Sequence, residues 1–181
     1  MPHFPAPIAS RLPAVGTTIF TIMSRLAQEC GAINLSQGFP DFSAEDVLFE
    51  RVAHWMRAGH NQYAPMAGVP ALRAAIAAKV EALYGAAYDP EHEVTVTAGA
   101  TQALFTAVAA LVHPGDEVIV FEPVYDSYVP AIELQGGVVR RACLSAPDYR
   151  PDWQAVRALV TPRTRMIMIN TPHNPTGTVW T

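Results

Sequence analysis

The chain has 181 residues, half of them hydrophobic and 15% charged, with a formal net charge of −4. That composition belongs to a globular protein with one sizeable core, or one domain with an appendage, and excludes disordered and fibrous classes. The acidic balance argues against nucleic acid or an anionic membrane as partner, and the longest uncharged apolar run, Ala103–Val112, falls far short of a bilayer span.

Residues 1–16 are proline-rich and read as an extended arm; MPHFPAPIASRLP lacks a basic-then-apolar leader, so no secretion signal is expected. Thr18–Gln28 places Ile19, Ile22, Met23 and Leu26 at helical spacing. Ile33–Leu35 is a short extended piece that ends in SQGFPDF, where Gly38 and Pro40 force a turn. Ala44–Arg57 predicts a helix with Ser43 as N-cap and Val47, Val52 and Trp55 at inner positions. HNQYAPMAGVP is a loop by its Asn, Pro and Gly content. Ala71–Tyr84 is the clearest helix: Leu72, Ile76, Val80 and Leu83 make a stripe, Arg73, Lys79 and Glu81 lie off it, and Gly85 is the expected C-cap.

Val94–Leu111 is the stretch around which the chain is organised. Val94 and Val96 alternate with Thr95 and Thr97 as a strand would, Gly99 breaks the extended chain, and Thr101–Leu111 reads as an apolar helix. A helix opening from such a turn directs unpaired N–H groups and its positive dipole end at one spot, a place for a phosphate. Gly99 and Ala100 are small enough to admit a ligand, and the Thr101 hydroxyl adds a donor.

Beyond the HPGD turn come strand Glu117–Phe121, loop EPVYD, and a helix near Ser127–Leu134 that stops at Gly136-Gly137. Strand Val138–Leu144, helix Trp153–Val160 opened by Pro151 and Asp152, strand Arg165–Asn170 and loop TPHNPTG complete the chain. Strands alternating with helices predict an α/β fold of βαβ units on a mainly parallel sheet. Ligands of such sheets sit beyond the carboxyl ends of the strands, which is where AGAT, EPVYD and TPHNPTG lie. Cys30 and Cys143 lack metal-ligand spacing and read as a reduced cytosolic pair, Cys143 as a core residue; no metal site is expected. His113 and His173 are loop histidines with no evident partner.

INLSQGFPDF, NQYAPMAGVPALR, VTVTAGATQAL, EPVYDSY and NTPHNPTG, in this order and spacing, resemble the pyridoxal-phosphate-dependent class I/II aminotransferases. The likeness is closest to the bacterial methionine-preferring members and their kynurenine/glutamine transaminase relatives, and it covers essentially the whole chain. It implies a fold-type-I large domain, truncated: residues 1–45 an N-terminal arm and small-domain segment, residues 46–181 the first part of the cofactor-binding domain. It implies pyridoxal 5'-phosphate as cofactor, with Gly99, Ala100 and Thr101 at its phosphate, Tyr125 stacked on its ring and Asn174 donating to its phenolate oxygen. Gly38 would face the substrate carboxylate and Phe20 would line the side-chain pocket. Tyr63 would come from the partner subunit of a homodimer. Pro123 and Pro175 match positions where the family holds cis peptide bonds.

The implied reaction is transfer of an amino group from a methionine-like or aromatic amino acid to a 2-oxo acid, in the cytoplasm. A carbon–sulfur β-lyase on the same fold and a non-catalytic truncated chain are the alternatives. Transamination needs a lysine amine, and the one lysine, Lys79, lies on a predicted helix outside every site loop. The resemblance puts the Schiff-base lysine, the carboxylate for the pyridine nitrogen and the arginine for the substrate carboxylate beyond this chain. The expectation is therefore the N-terminal half of an enzyme about twice this length, with no catalytic residue here and inactive alone. In the family, later strands separate the one matching Val94–Ala98 from the next three. Here 117–121, 138–144 and 165–170 should form a contiguous parallel group and 94–98 should lack a neighbour, leaving the chain unstable or aggregation-prone.

Overall fold

In chain order the elements are α1 (Ile19–Glu29), α2 (Asp46–Arg57), α3 (Pro70–Tyr84), α4 (Gly99–Leu111), β1 (Glu117–Glu122), α5 (Tyr128–Leu134), β2 (Val138–Cys143), α6 (Trp153–Ala158) and β3 (Thr164–Ile167). The structure is a computed structural model that describes residues 9–38 and 40–180. Residues 1–8 of the proline-rich arm, Phe39 of the SQGFPDF loop and Thr181 lie outside the described residues. The chain divides into two compact units, Met1–Ile19 with Gly99–Thr181, and Phe20–Ala98.

The first unit is built on β1. Its residues Glu117 through Phe121 are all buried, as a strand covered on both faces requires. β2 and β3 pair with it in parallel, giving the order β2–β1–β3, the contiguous group expected. Side chains alternate along β1. Val118 and Val120 join Val108 of α4, Val112, and Ala131 and Ile132 of α5 in one core. Ile119 and Phe121 turn to the other, with Ala142, Leu144 and Val156 of α6. Two turns hold the connections tight. A Cβ on Gly137 would stand 2.7 Å from Val112 Cγ1 and 2.8 Å from Ile132 Cγ2. Asp152 caps α6 as expected, accepting from the Gln154 and Ala155 N–H groups at 2.9 and 3.1 Å. From the arm, Arg11 donates to the Leu134 carbonyl at the end of α5 (2.6 Å).

Glu117 opens β1 as a carboxylate only 1% exposed, and a charge so placed must be paired. Thr161 Oγ1 donates to it at 2.8 Å, Arg163 Nη2 at 2.6 Å and Arg163 Nε at 3.1 Å. These bonds, the Thr161 hydroxyl foremost, hold its pKa below the ordinary glutamate value. They tie the start of β1 to the residues leading into β3. Arg140 Nε, 3.8 Å from the same carboxylate, is buried without a hydrogen bond.

The second unit departs from expectation in several places. Glu45, not Ser43, is the N-cap of α2, and it makes no side-chain cap bond. Val47, Val52 and Trp55, expected at inner positions, are 58%, 53% and 51% exposed. Periodicity marks a face that can be buried; it does not supply the partner. α3 ends at Gly85 in the left-handed conformation (φ 68°), as expected, but its buried residues are Arg73 and Ala77, while Leu72 and Leu83 of the stripe are exposed. Arg73 is drawn in by backbone oxygens: its Nε donates to the Val94 carbonyl at 2.9 Å and its Nη2 to that of Glu91. Val94–Ala98 forms no strand. Its Val94 carbonyl is taken by Arg73, and its Val96 N–H donates to the Ala67 carbonyl at 3.0 Å. A strand exists only by pairing, and the described strands pair with one another alone.

Cys30 and Cys143 are free and exposed. Cys143, expected in the core, lies on edge strand β2, where the alternation turns Ala142 inward and Cys143 outward. Among the described residues no helix is long and apolar enough to cross a membrane, and no cluster of three or more metal-ligating side chains forms.

Candidate cofactor site

Gly99 turns the chain with φ 82°, a conformation open to glycine at little steric cost, and α4 begins there. The space its Cβ would occupy is open, with nothing within 4 Å. Ala100 and Thr101 therefore lie in the first helical turn, at the positive end of the dipole. β1 runs out at Glu122 into the loop that carries Tyr125. The Glu122–Pro123 and Asn174–Pro175 bonds are both cis, as expected, and Ala146–Pro147 and Thr171–Pro172 are cis as well.

Tyr125 and Asn174 face one hollow, together with Phe121, Tyr128, Met168, Asn170 and His173. A cavity of about 180 Å³ is lined by Thr101, Phe105, Val108, Ser127 and Leu134, and it shares Tyr128 and Met168 with that hollow. Thr101, Tyr125 and Asn174 thus border two adjoining recesses of a single unit. Tyr125 and Tyr128 meet edge to face, centroids 5.7 Å apart. Burial, and then the nearby Tyr125, raises the Tyr128 hydroxyl pKa.

Ser127 Oγ, in the cavity wall, is buried without a hydrogen-bond partner. A buried hydroxyl left unsatisfied costs about 1–3 kcal/mol. The first turn of α4 suits an anion, and the aromatic walls suit a flat ring. The residues present fit a phosphorylated aromatic cofactor. Ser127 lies inside the EPVYDSY motif, but nothing in its spacing marks its hydroxyl as orphaned.

His173, which the sequence leaves without partners, has several. It is 4% exposed, its Nδ1 lies 2.8 Å from Thr176 Oγ1, and its ring stacks on Trp180 at 4.8 Å and 21°. Burial pushes its pKa below the ordinary imidazole value, against a hydrogen bond to the Phe121 backbone. His113 instead is exposed, 3.4 Å from Asp116. Gly38, Phe20 and Tyr63 belong to the Phe20–Ala98 unit: Gly38 is exposed with open space around it, Phe20 is half-buried on α1, and Tyr63 is fully exposed in its loop. Lys79 is exposed on α3.

The aminotransferase class I and II family matches residues 31–181, and the chain belongs to that family. Among individual relatives, the methionine aminotransferase of Escherichia coli is 60% identical over 171 residues, 94% of this chain and 44% of that protein. The structure of YbdL from Escherichia coli, reported with a methionine aminotransferase function, matches with TM-score 0.94 at 59% identity, covering 98% of this chain and 46% of that one. N-Succinyldiaminopimelate aminotransferase from Mycobacterium tuberculosis matches with TM-score 0.89 at 45% identity, over 96% of this chain and 46% of that one. The chain spans less than half the length of these relatives.

Proposed function

We propose that the protein acts in a pyridoxal-5'-phosphate-dependent aminotransferase that moves an amino group from a methionine-like or aromatic amino acid to a 2-oxo acid. The observation that carries this is the pair of adjoining recesses bordered by Thr101, Ser127, Tyr125 and Asn174. The cofactor, when bound, supplies an electron sink for the bond that breaks at the amino-acid α-carbon. The first turn of α4 holds its phosphate: Gly99 leaves room, and Ala100 and Thr101 donate. Tyr125 lies against the pyridine ring, and the Asn174 side-chain amide donates to the phenolate oxygen. Gly38, Phe20 and Tyr63 serve the substrate, Tyr63 from the second subunit of a homodimer, in a cytoplasmic enzyme. Residues 1–45 form the arm and a small-domain segment there, and residues 46–181 the first part of the cofactor domain. Five motifs in register with the family support these assignments.

Equilibrium dialysis with pyridoxal phosphate tests the site. Tyr125→Ala and Asn174→Ala should each weaken binding about tenfold; unchanged affinity in both would overturn it. In the intact enzyme, incubation with methionine and a 2-oxo acid tests transamination through the keto-acid product, and incubation with a cysteine S-conjugate tests β-elimination, which releases ammonia and pyruvate. A second reading is favoured by one observation: the single lysine, Lys79, is exposed on α3. The 181 residues by themselves are therefore expected to bind the cofactor without turnover.

A further inference from the structure

We infer that His173 is a positioning residue for Asn174: its buried ring, stacked on Trp180, fastens the loop of residues 171–178 against the end of β1 and so sets where the Asn174 amide stands. The assignment rests on Asn174 being a cofactor ligand.

Asn174 is exposed in its loop, and a side chain there keeps a fixed hydrogen bond only if its backbone is held. Its own N–H donates to Asn170 Oδ1 at 2.6 Å. His173 supplies the remaining constraint through both backbone and ring. The His173 N–H donates to the Thr178 carbonyl at 2.8 Å, and the Gly177 N–H donates to the His173 carbonyl at 2.6 Å, closing the loop on itself. The ring reaches Thr176 Oγ1 and stacks on Trp180. Trp180 is fixed in turn, its Nε1 donating to the Tyr149 carbonyl at 3.1 Å and its N–H to Thr171 Oγ1 at 3.0 Å. Pairing of β1 with β3 stops at Ile119 and Ile167. Beyond that point Trp180, on which the His173 ring stacks, meets Phe121 edge to face with centroids 4.8 Å apart. A residue whose neighbour in sequence is a ligand, and whose ring joins loop to strand, acts through that neighbour.

A double-mutant cycle on the purified protein tests this, with pyridoxal phosphate affinity read by equilibrium dialysis. His173→Ala and Asn174→Ala should each weaken binding about tenfold. The double variant should bind no more weakly than Asn174→Ala, because nothing is left to position. His173→Asn, whose side-chain amide can still pair with Thr176, should recover part of the loss, and it carries the same cycle should His173→Ala not fold. Without cofactor, the Gly177 amide should exchange faster in His173→Ala. Losses that multiply to about a hundredfold in the double variant, or wild-type affinity in His173→Ala, would overturn the assignment alone. Wild-type affinity in Asn174→Ala would remove Asn174 as a ligand, and this assignment with it.

Discussion

A buried imidazole gives the loop near Asn174 a pH dependence whose sign is set by its surroundings. A free imidazole takes up its proton near about pH 6.5, whereas burial makes the folded His173 ring do so at lower pH. Between those two values the unfolded chain binds more protons, so stability falls as pH drops below about 6.5 through the folded value and is unaffected above it. Thermal melts between neutral pH and pH 5 should lose stability more steeply in the wild type than in His173→Asn; equal slopes would exclude His173 as the source. Glu117 acts at the acid end. Its folded pKa is depressed, so the stability it contributes is present above the ordinary glutamate value and is lost as pH falls through the folded one. Packing makes a separate demand at Gly137, where a methyl group would press on Val112 and Ile132. Gly137→Ala should destabilise by about 1–3 kcal/mol, while Gly16→Ala, with open space around it, should change the denaturation midpoint little.

Elements that close locally, and a strand whose partners lie in this chain, were legible in the sequence. The EVIVFE run announces a strand covered on both faces, Gly85 ends α3, and Asp152 opens α6. Asp152→Ala should cost about 1 kcal/mol, seen as a lower midpoint at unchanged slope in urea. Elements whose surroundings periodicity cannot supply were not legible. Val94–Ala98 has the composition of a strand and, among the described residues, no strand beside it. The stripe on α3 hides Arg73, because the guanidinium finds carbonyl acceptors in the 91–94 segment that helical periodicity cannot anticipate. The same holds at the candidate site. Tyr125 and Asn174 stand out as motif residues, whereas the orphaned Ser127 hydroxyl and the His173–Trp180 stack arise only from tertiary packing.

At the scale of the whole chain, much apolar surface faces outward. Neither α1 nor α2 buries a residue, and Ile33 and Leu35 are 87% and 90% exposed. Exposed patches of this kind drive association. The 181-residue chain alone should bind a hydrophobic dye and scatter more light as its concentration rises; a cooperative melt from a monomer at all concentrations would contradict this. β1 carries a different consequence. Its Glu117 end is anchored by Thr161 and Arg163, while Phe121, about 13 Å further along at the strand rise, borders the hollow of Tyr125 and Asn174. Mutational tolerance should therefore be graded along this one strand. Variation in the loops past Phe121 should leave the scaffold intact, so that the rim can diverge without the strand first being rebuilt.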